Sequence, residues 1–239
     1  MVMILYSYFR SSCSWRVRLG MLFLKIKTTL MTMPLGSCNT LSCSVLALKD
    51  IQYEYQPVNL LSGDQLADEY GSVNPMNQVP SLEVDGKVMT QSMSIMEFLE
   101  ETYPKPSLLP DDPFQRAKVR EICELIGSGI QPVQNLAVLK RVAALAGDEA
   151  RRRWGREAIE RGFGALEPIL AASAGTCCVG DTATLADCCL VPQVFNASRF
   201  QVDMSQFPTI SRVHGHLETL EPFQAAHFSR QPDCPPELR

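Results

Sequence analysis

The chain carries no excess of basic residues: 22 Lys and Arg stand against 26 Asp and Glu, for a net charge of −4. A nucleic-acid surface needs the opposite balance, so that class of partner is excluded. No Cys-x-x-Cys pair occurs, which removes a dithiol redox cycle. The nine cysteines are odd in number and follow no regular spacing, so they read as thiols in a reducing compartment rather than a disulfide framework. The apolar start Met1–Phe9 has no basic residue ahead of it and no small-residue cleavage site behind it, unlike a signal peptide. An Arg-rich amphipathic leader is missing too. The one long uncharged run, Thr28–Leu48, is interrupted by Pro34 and Gly36. It is also crowded with Thr28, Thr29, Thr32, Ser37, Asn39, Thr40, Ser42 and Ser44, which is too polar for a membrane span. No internal repeat is present. The reading is a soluble, cytoplasmic protein.

What the chain has is enough apolar material for a large core. Its 239 residues are 46% hydrophobic and 20% charged, which fits one to two domains without metal or disulfide support. The first half mixes strands and helices. Met3–Tyr8 is rich in β formers, and a helical pattern opens near Ser14. Ile51, Tyr53 and Tyr55 alternate with polar residues as in a half-buried strand. Ser81–Val84 and Lys87–Met89 flank Asp85-Gly86, a strong hairpin signal. A helix follows Gln91-Ser92, with Ile95, Met96, Phe98 and Leu99 near one face. Tyr103–Pro113 holds four prolines and reads as a linker.

The second half is helical throughout. Asp112-Pro113 supplies a cap and a first-turn proline before Phe114–Ile126. Further helices fit Pro132–Leu145, Glu149–Ala172, Leu185–Ser198 and Pro208–Leu220, and Thr184 with Asp187 forms a capping-box pattern. This order predicts an α/β thioredoxin-like N-terminal domain over residues 1–107 and an all-α C-terminal domain over 112–239.

Ser11-Ser12-Cys13-Ser14 falls where the first strand hands over to the first helix. Unpaired N–H groups and the positive helix end favour an anion there, and hydroxyls can donate to a thiolate. The serines serve equally well as helix caps. Cys13 is itself a candidate nucleophile, since a helix N-terminus lowers a thiol pKa. Val79-Pro80, just ahead of the hairpin, is a candidate cis peptide. Gln91-Ser92 pairs an amide with a hydroxyl at a helix start, which suits a carboxylate or a simple cap. Cys177-Cys178 and Cys188-Cys189 read as core thiols. His214 and His216, at i and i+2, point to different helix faces, so no metal site is expected.

The segment Tyr6-Ser7-Tyr8-Phe9-Arg10-Ser11-Ser12-Cys13-Ser14-Trp15-Arg16-Val17-Arg18 resembles the N-terminal signature of zeta-class glutathione transferases, the maleylacetoacetate isomerases. Asn74–Pro80, Gln91-Ser92, Gly129–Leu136 and Ala186–Gln193 extend the likeness to most of the chain. The resemblance implies a glutathione transferase fold, glutathione as cofactor, and conversion of maleylacetoacetate to fumarylacetoacetate in phenylalanine and tyrosine breakdown. It also implies side activity on small α-halo acids, an acidic small-molecule substrate and a homodimer. Mitochondrial residence occurs in the family. By the same resemblance Ser11 holds the glutathione thiolate, with Ser12, Cys13, Ser14, Trp15 and Arg16 around it. Val79 offers its backbone to the peptide's middle, and Gln91 and Ser92 bind the γ-glutamyl end. Gln65, Gln131, Asn135 and Leu136 match further positions of the site. Ala137 stands where many relatives carry Ser, and Arg199 matches a residue proposed to hold a substrate carboxylate. A Cys13-based thiol transferase or dehydroascorbate reductase is the alternative chemistry.

One departure from the family is large. Gly20–Ser44 has no counterpart and interrupts the first helix. Leu19, Leu22, Phe23 and Ile26 repeat at helical spacing, which predicts a helix from Ser14 through Lys27. The remainder is expected to loop outward around Pro34 and Gly36, with Val45–Lys49 rejoining as a short helix or turn. Such an arrangement predicts a preserved outline with weakened stability or glutathione affinity; a catalytically impaired variant is the competing expectation.

Overall fold

Strand β1, Met3–Ser7, buries Met3, Leu5 and Ser7 and leaves Ile4 and Tyr6 half-covered, the alternation of a strand with one face on a core. In the computed structural model, which describes residues 2–23, 26–29 and 51–239, this strand lies at the centre of a five-stranded sheet. The strands are β2 (Ile26–Thr29), β3 (Ile51–Pro57), β4 (Ser81–Val84) and β5 (Lys87–Thr90), in the order β2-β3-β1-β4-β5. β1 and β3 are parallel, with Leu5 opposite Tyr55. β4 is antiparallel to β1, with Leu82 opposite Leu5. The β4–β5 turn is Asp85-Gly86, whose φ values of 48° and 78° are those of a tight hairpin.

Helix α1, Ser12–Phe23, crosses between β1 and the parallel strands, and it buries Trp15, Val17, Leu19 and Met21. α2 (Asp68–Val73) precedes the β4–β5 hairpin and α3 (Ser92–Thr102) follows it. This is the thioredoxin-like arrangement expected of the first half. Its compact unit is Met1–Leu99 together with Phe228–Arg239, so the chain's last segment returns to the first unit.

The second unit, Glu100–His227, is helical. It contains α4 (Pro113–Glu124), α5 (Leu136–Ser173), α6 (Leu185–Arg199), α7 (Pro208–Leu217) and α8 (Glu221–Ala226). Asp112 caps α4 by accepting the Gln115 N–H at 2.8 Å, and Pro113 occupies its first turn. The box at α6 is complete: the Asp187 carboxylate accepts the N–H of Thr184 at 2.7 Å and its hydroxyl at 2.8 Å. Asp187 also takes the Cys178 N–H at 2.8 Å, which ties the preceding loop to the helix start. The carboxylate of Glu100 holds the Ser107 hydroxyl at 2.6 Å and the Leu108 N–H at 2.9 Å. Those bonds tie the proline-rich stretch to the last turn of α3. Cys177, Cys178, Cys188 and Cys189 are buried thiols, and burial pushes Cys178 and Cys188 well up from their ordinary value.

Several helix limits differ from the sequence expectation. α1 starts at Ser12, with Ser11 as its cap, rather than near Ser14. It stops at Phe23 rather than Lys27, because Ile26–Thr29 pairs in parallel with β3, Thr28 lying opposite Tyr53. The ladder satisfies backbone groups that a longer helix would have satisfied internally. Gly20–Phe23 continue α1 as the helical spacing predicts, and the correction falls on 26–29, which extend the sheet instead of the helix. The expected loop at Pro34 and Gly36 and the turn at Val45–Lys49 lie outside the described residues. α4 ends at Glu124, not Ile126, and passes into a π-helical turn, Leu125–Ile130. Pro132 sits in a 3-10 turn, Gln131–Gln134, because Asn135 caps the helix that follows. α5 is broken at Gly147, whose φ is 84°, in the gap between the two helices expected there. α7 ends at Leu217 rather than Leu220.

Candidate active site

β1 runs into a turn at Phe9-Arg10, and Ser11 closes it. The Ser11 N–H donates to the Tyr8 carbonyl at 3.0 Å, and the Ser11 carbonyl accepts the Trp15 N–H at 2.9 Å. The Ser11 hydroxyl oxygen accepts the Ser14 N–H at 3.2 Å. Ser11 is thus the N-cap of α1, but capping uses only a lone pair and leaves the hydroxyl proton available to donate. The two readings of the serine cluster are compatible. Ser12 is buried and Cys13 half-buried. Ser14 is fully buried, and its Oγ has no partner among the described residues.

Behind this turn, Trp15 packs edge-on against Phe228 at 6.1 Å between ring centroids. Arg16 is buried, with Nε and Nη2 lacking partners among the described residues. Arg18 is the better satisfied cation. It donates to the Ser7 hydroxyl at 3.1 Å and to the carbonyls of Tyr8 at 3.4 Å and Phe9 at 2.9 Å. Burial lowers its pKa, while Tyr55 and Asp233 work in the opposite direction.

The Asn74–Pro80 segment is held by its own side chains. The Gln78 carbonyl accepts the Tyr70 hydroxyl and the Asn74 side-chain amide N–H, each at 2.7 Å, and Asn74 Oδ1 takes the Met76 N–H at 3.0 Å. The Val79-Pro80 peptide is cis. With Gln78 so fixed, Val79 presents an N–H and a carbonyl that no hydrogen bond among the described residues uses. Gln91 follows β5 in the left-handed region, φ 70°, and its carbonyl accepts the Ile95 N–H at 3.0 Å as α3 begins at the buried Ser92. A non-glycine residue held there stores strain, and such residues cluster at functional sites. Gln65 lies on the short 3-10 turn Asp64–Leu66, with a buried Oε1 that lacks a donor among the described residues. Its loop is closed by Asn59, whose N–H donates to Asp64 at 3.0 Å and whose side-chain oxygen takes the Leu61 N–H at 2.9 Å.

Ser11, Ser12, Cys13, Ser14, Trp15, Arg16, Gln65, Val79, Gln91 and Ser92 thus belong to the first unit. Gln131, Asn135, Leu136, Ala137 and Arg199 belong to the second. Gln131 opens the 3-10 turn, and Asn135 caps α5 through a 3.2 Å bond from the Ala137 N–H. Ala137 is exposed, and Arg199 is exposed in the last turn of α6. Two polar arrangements carry no local sequence signal. Gln134 donates to Gln193 at 3.0 Å inside the helical unit. Asp233 accepts the Phe9 N–H at 2.8 Å and the Tyr55 hydroxyl at 2.7 Å. Both join residues far apart in the chain, beyond any local pattern. Among the described residues no cluster could hold a metal ion, and no helix is long and apolar enough to cross a membrane.

This geometry has close relatives. Residues 44–102 match the family model of the glutathione S-transferase N-terminal domain. Maleylacetoacetate isomerase of Mus musculus is 51% identical over 238 residues, spanning 99% of this chain and 97% of that one. The chain belongs to the zeta-class glutathione transferases, the maleylacetoacetate isomerases. The class extends to the Dictyostelium discoideum isomerase, at 43% identity over 98% of this chain and 97% of its own. Among solved structures, the Anaeromyxobacter dehalogenans maleylacetoacetate isomerase with glutathione in its active site is 42% identical. It has a TM-score of 0.80 and 98% of each chain covered. The holo structure of a bacterial zeta-class maleylpyruvate isomerase aligns at a TM-score of 0.83 and 35% identity, over 97% of this chain and 100% of that one.

Proposed function

We propose that this zeta-class chain isomerises maleylacetoacetate to fumarylacetoacetate with glutathione as cofactor, with transferase activity on small α-halo acids as a side reaction. One observation carries the chemistry: Ser11 caps α1 through its oxygen and keeps its proton to donate.

The residues present fit a thiol peptide with an anionic end. Ser11 and the first turn of α1 favour a thiolate by hydrogen bonding and by the helix dipole. Val79 offers an unused N–H and carbonyl, as pairing with an extended peptide requires. Gln91 and Ser92 stand at the positive end of α3, which suits a carboxylate. The buried Gln65 Oε1 is an acceptor suited to an ammonium. When bound, glutathione supplies a thiolate whose reversible addition to the conjugated cis double bond permits rotation and release of the trans product.

Within that reaction Ser11 stabilises the sulfur anion before addition and after release. Ser12, Cys13, Ser14, Trp15 and Arg16 shape the turn that holds Ser11 in place. Gln131, Asn135, Leu136 and Ala137 are carried over from the family resemblance alone as further glutathione positions, and Arg199 as the anchor for an acidic end of the substrate. The protein acts as a homodimer in the cytoplasm, a reading supported for assembly by family membership and for the compartment by nine cysteines that follow no disulfide-like spacing.

The test is isomerisation of maleylacetoacetate by the purified full chain with and without glutathione. Activity that depends on glutathione and falls in Ser11→Ala is expected. Full activity without glutathione overturns the reading. For assembly, sedimentation showing only a 26.6 kDa species at working concentration overturns the dimer.

A further inference from the structure

The peptide group joining Tyr8 to Phe9 is held at both ends. Its carbonyl, on Tyr8, accepts the Ser11 N–H at 3.0 Å and Arg18 Nη1 at 3.4 Å. Its N–H, on Phe9, donates to one carboxylate oxygen of Asp233 at 2.8 Å. The other carboxylate oxygen takes the Tyr55 hydroxyl at 2.7 Å, and Tyr55 lies on β3 opposite Leu5 of β1. Asp233 therefore links the sheet to the turn that ends in Ser11. It comes from the chain's last segment, which lies against the same turn: Cys234 is buried in one cluster with Tyr8, Phe9, Val58, Tyr70 and Val79. Phe9 is itself buried, so without Asp233 its N–H loses a charged acceptor where water has little access.

We propose that Asp233 is a positioning residue for the active site, fixing the Tyr8–Phe9 peptide so that its carbonyl holds Ser11 at the head of α1. The inference rests on the reading that a glutathione thiol binds at Ser11. A rotation of that peptide would withdraw the carbonyl from the Ser11 N–H and move the hydroxyl that meets the sulfur. Arg18 cannot substitute for Asp233, because it grips carbonyls and supplies no acceptor for the Phe9 N–H. The C-terminal segment thus contributes to thiolate binding without reaching the thiolate. Nothing in the N-terminal signature encodes this tie.

The experiment compares the full-length wild type with Asp233→Asn, Asp233→Ala and Tyr55→Phe. Two readings are taken: the thiolate absorbance of bound glutathione against pH, and KM for glutathione alongside kcat. Asp233→Ala is expected to raise KM for glutathione about tenfold and move the thiolate midpoint up by about one pH unit. At saturating glutathione and a pH above both midpoints, kcat is retained. Simple loss of folded protein would lower kcat in proportion and leave the midpoint unmoved. Asp233→Asn, which keeps one acceptor oxygen, falls between wild type and Asp233→Ala. If Asp233→Ala does not fold, Tyr55→Phe decides, since it removes one hydroxyl from the tie and keeps the ring; a smaller shift in the same direction supports the proposal. A soluble variant set with wild-type midpoint and KM overturns it while the wild type still uses glutathione. A wild type that neither binds nor uses glutathione overturns the functional reading itself.

Discussion

The hydroxyl oxygen of Ser11 accepts the N–H of Ser14 at 3.2 Å, so the residue that starts α1 is also placed to donate its proton away from the helix. A cap ordinarily competes with function for a polar side chain. Here one oxygen serves both, since accepting and donating use different parts of the hydroxyl.

Replacing Ser11 with Ala removes both roles at once. Loss of the cap is expected to cost about 1 kcal/mol of stability. Loss of the bond to the thiolate is expected to lower kcat/KM about ten- to a hundredfold. Ser11→Thr, which keeps the hydroxyl, is expected to recover most of the stability and part of the rate. Thermal unfolding and glutathione-dependent isomerisation of the three proteins measure the two effects separately.

Cys13 lies one position further into the first turn, where it has no need to act for the isomerisation to proceed. Cys13→Ala is expected to keep glutathione-dependent isomerisation within a small factor of wild type. Mass spectrometry during turnover should show no Cys13–glutathione mixed disulfide. A collapse of isomerisation in that variant would shift the chemistry to the thiol.

The features legible in the sequence are those whose cause is local. Asp85-Gly86 marks a turn because both positions take positive φ. Asp112-Pro113 and Thr184 with Asp187 mark helix starts because the cap and its partner are three residues apart or fewer. The serine cluster at 11–14 was readable for the same reason. The end of α1 was not. Leu19, Leu22, Phe23 and Ile26 keep helical spacing, yet Ile26 leaves the helix because β3 offers its backbone a parallel ladder, and sequence periodicity carries no record of that strand. The bond from Phe9 to Asp233 spans 224 positions, and a lone Asp near the end of the chain gives no sign of it.

His214 on α7 supplies a pH prediction. Burial lowers its pKa from the ordinary 6.5, against the opposing pull of Glu218, whose Oε2 lies 3.6 Å from Nδ1. The unfolded chain therefore takes up this proton more readily than the folded one. Between the folded value and 6.5 stability rises with pH, and it falls as the solution is acidified below 6.5. His214→Gln is expected to flatten that part of the stability profile, measured by urea unfolding at a series of pH values. An unchanged slope would show that His214 titrates alike in both states.

Met21 tests what the unmatched stretch does. It belongs to Gly20–Ser44, the segment without a counterpart in the family pattern, yet it sits on α1 with no exposure, beside the equally buried Leu19. A Cβ built on Gly20 would lie 3.7 Å from Met96 of α3, so this part of α1 runs close to a neighbouring helix. If the stretch merely looped away from the fold, truncating Met21 would cost almost nothing. If it replaces the second half of the helix as a packed element, Met21→Ala opens a cavity in the core of the first unit. The expected loss is then about 2–5 kcal/mol. Urea unfolding of Met21→Ala against wild type measures it, with Leu19→Ala as the reference for a core position ahead of the stretch. A loss near that of Leu19→Ala makes the start of the stretch part of the core; a loss near zero returns it to the surface.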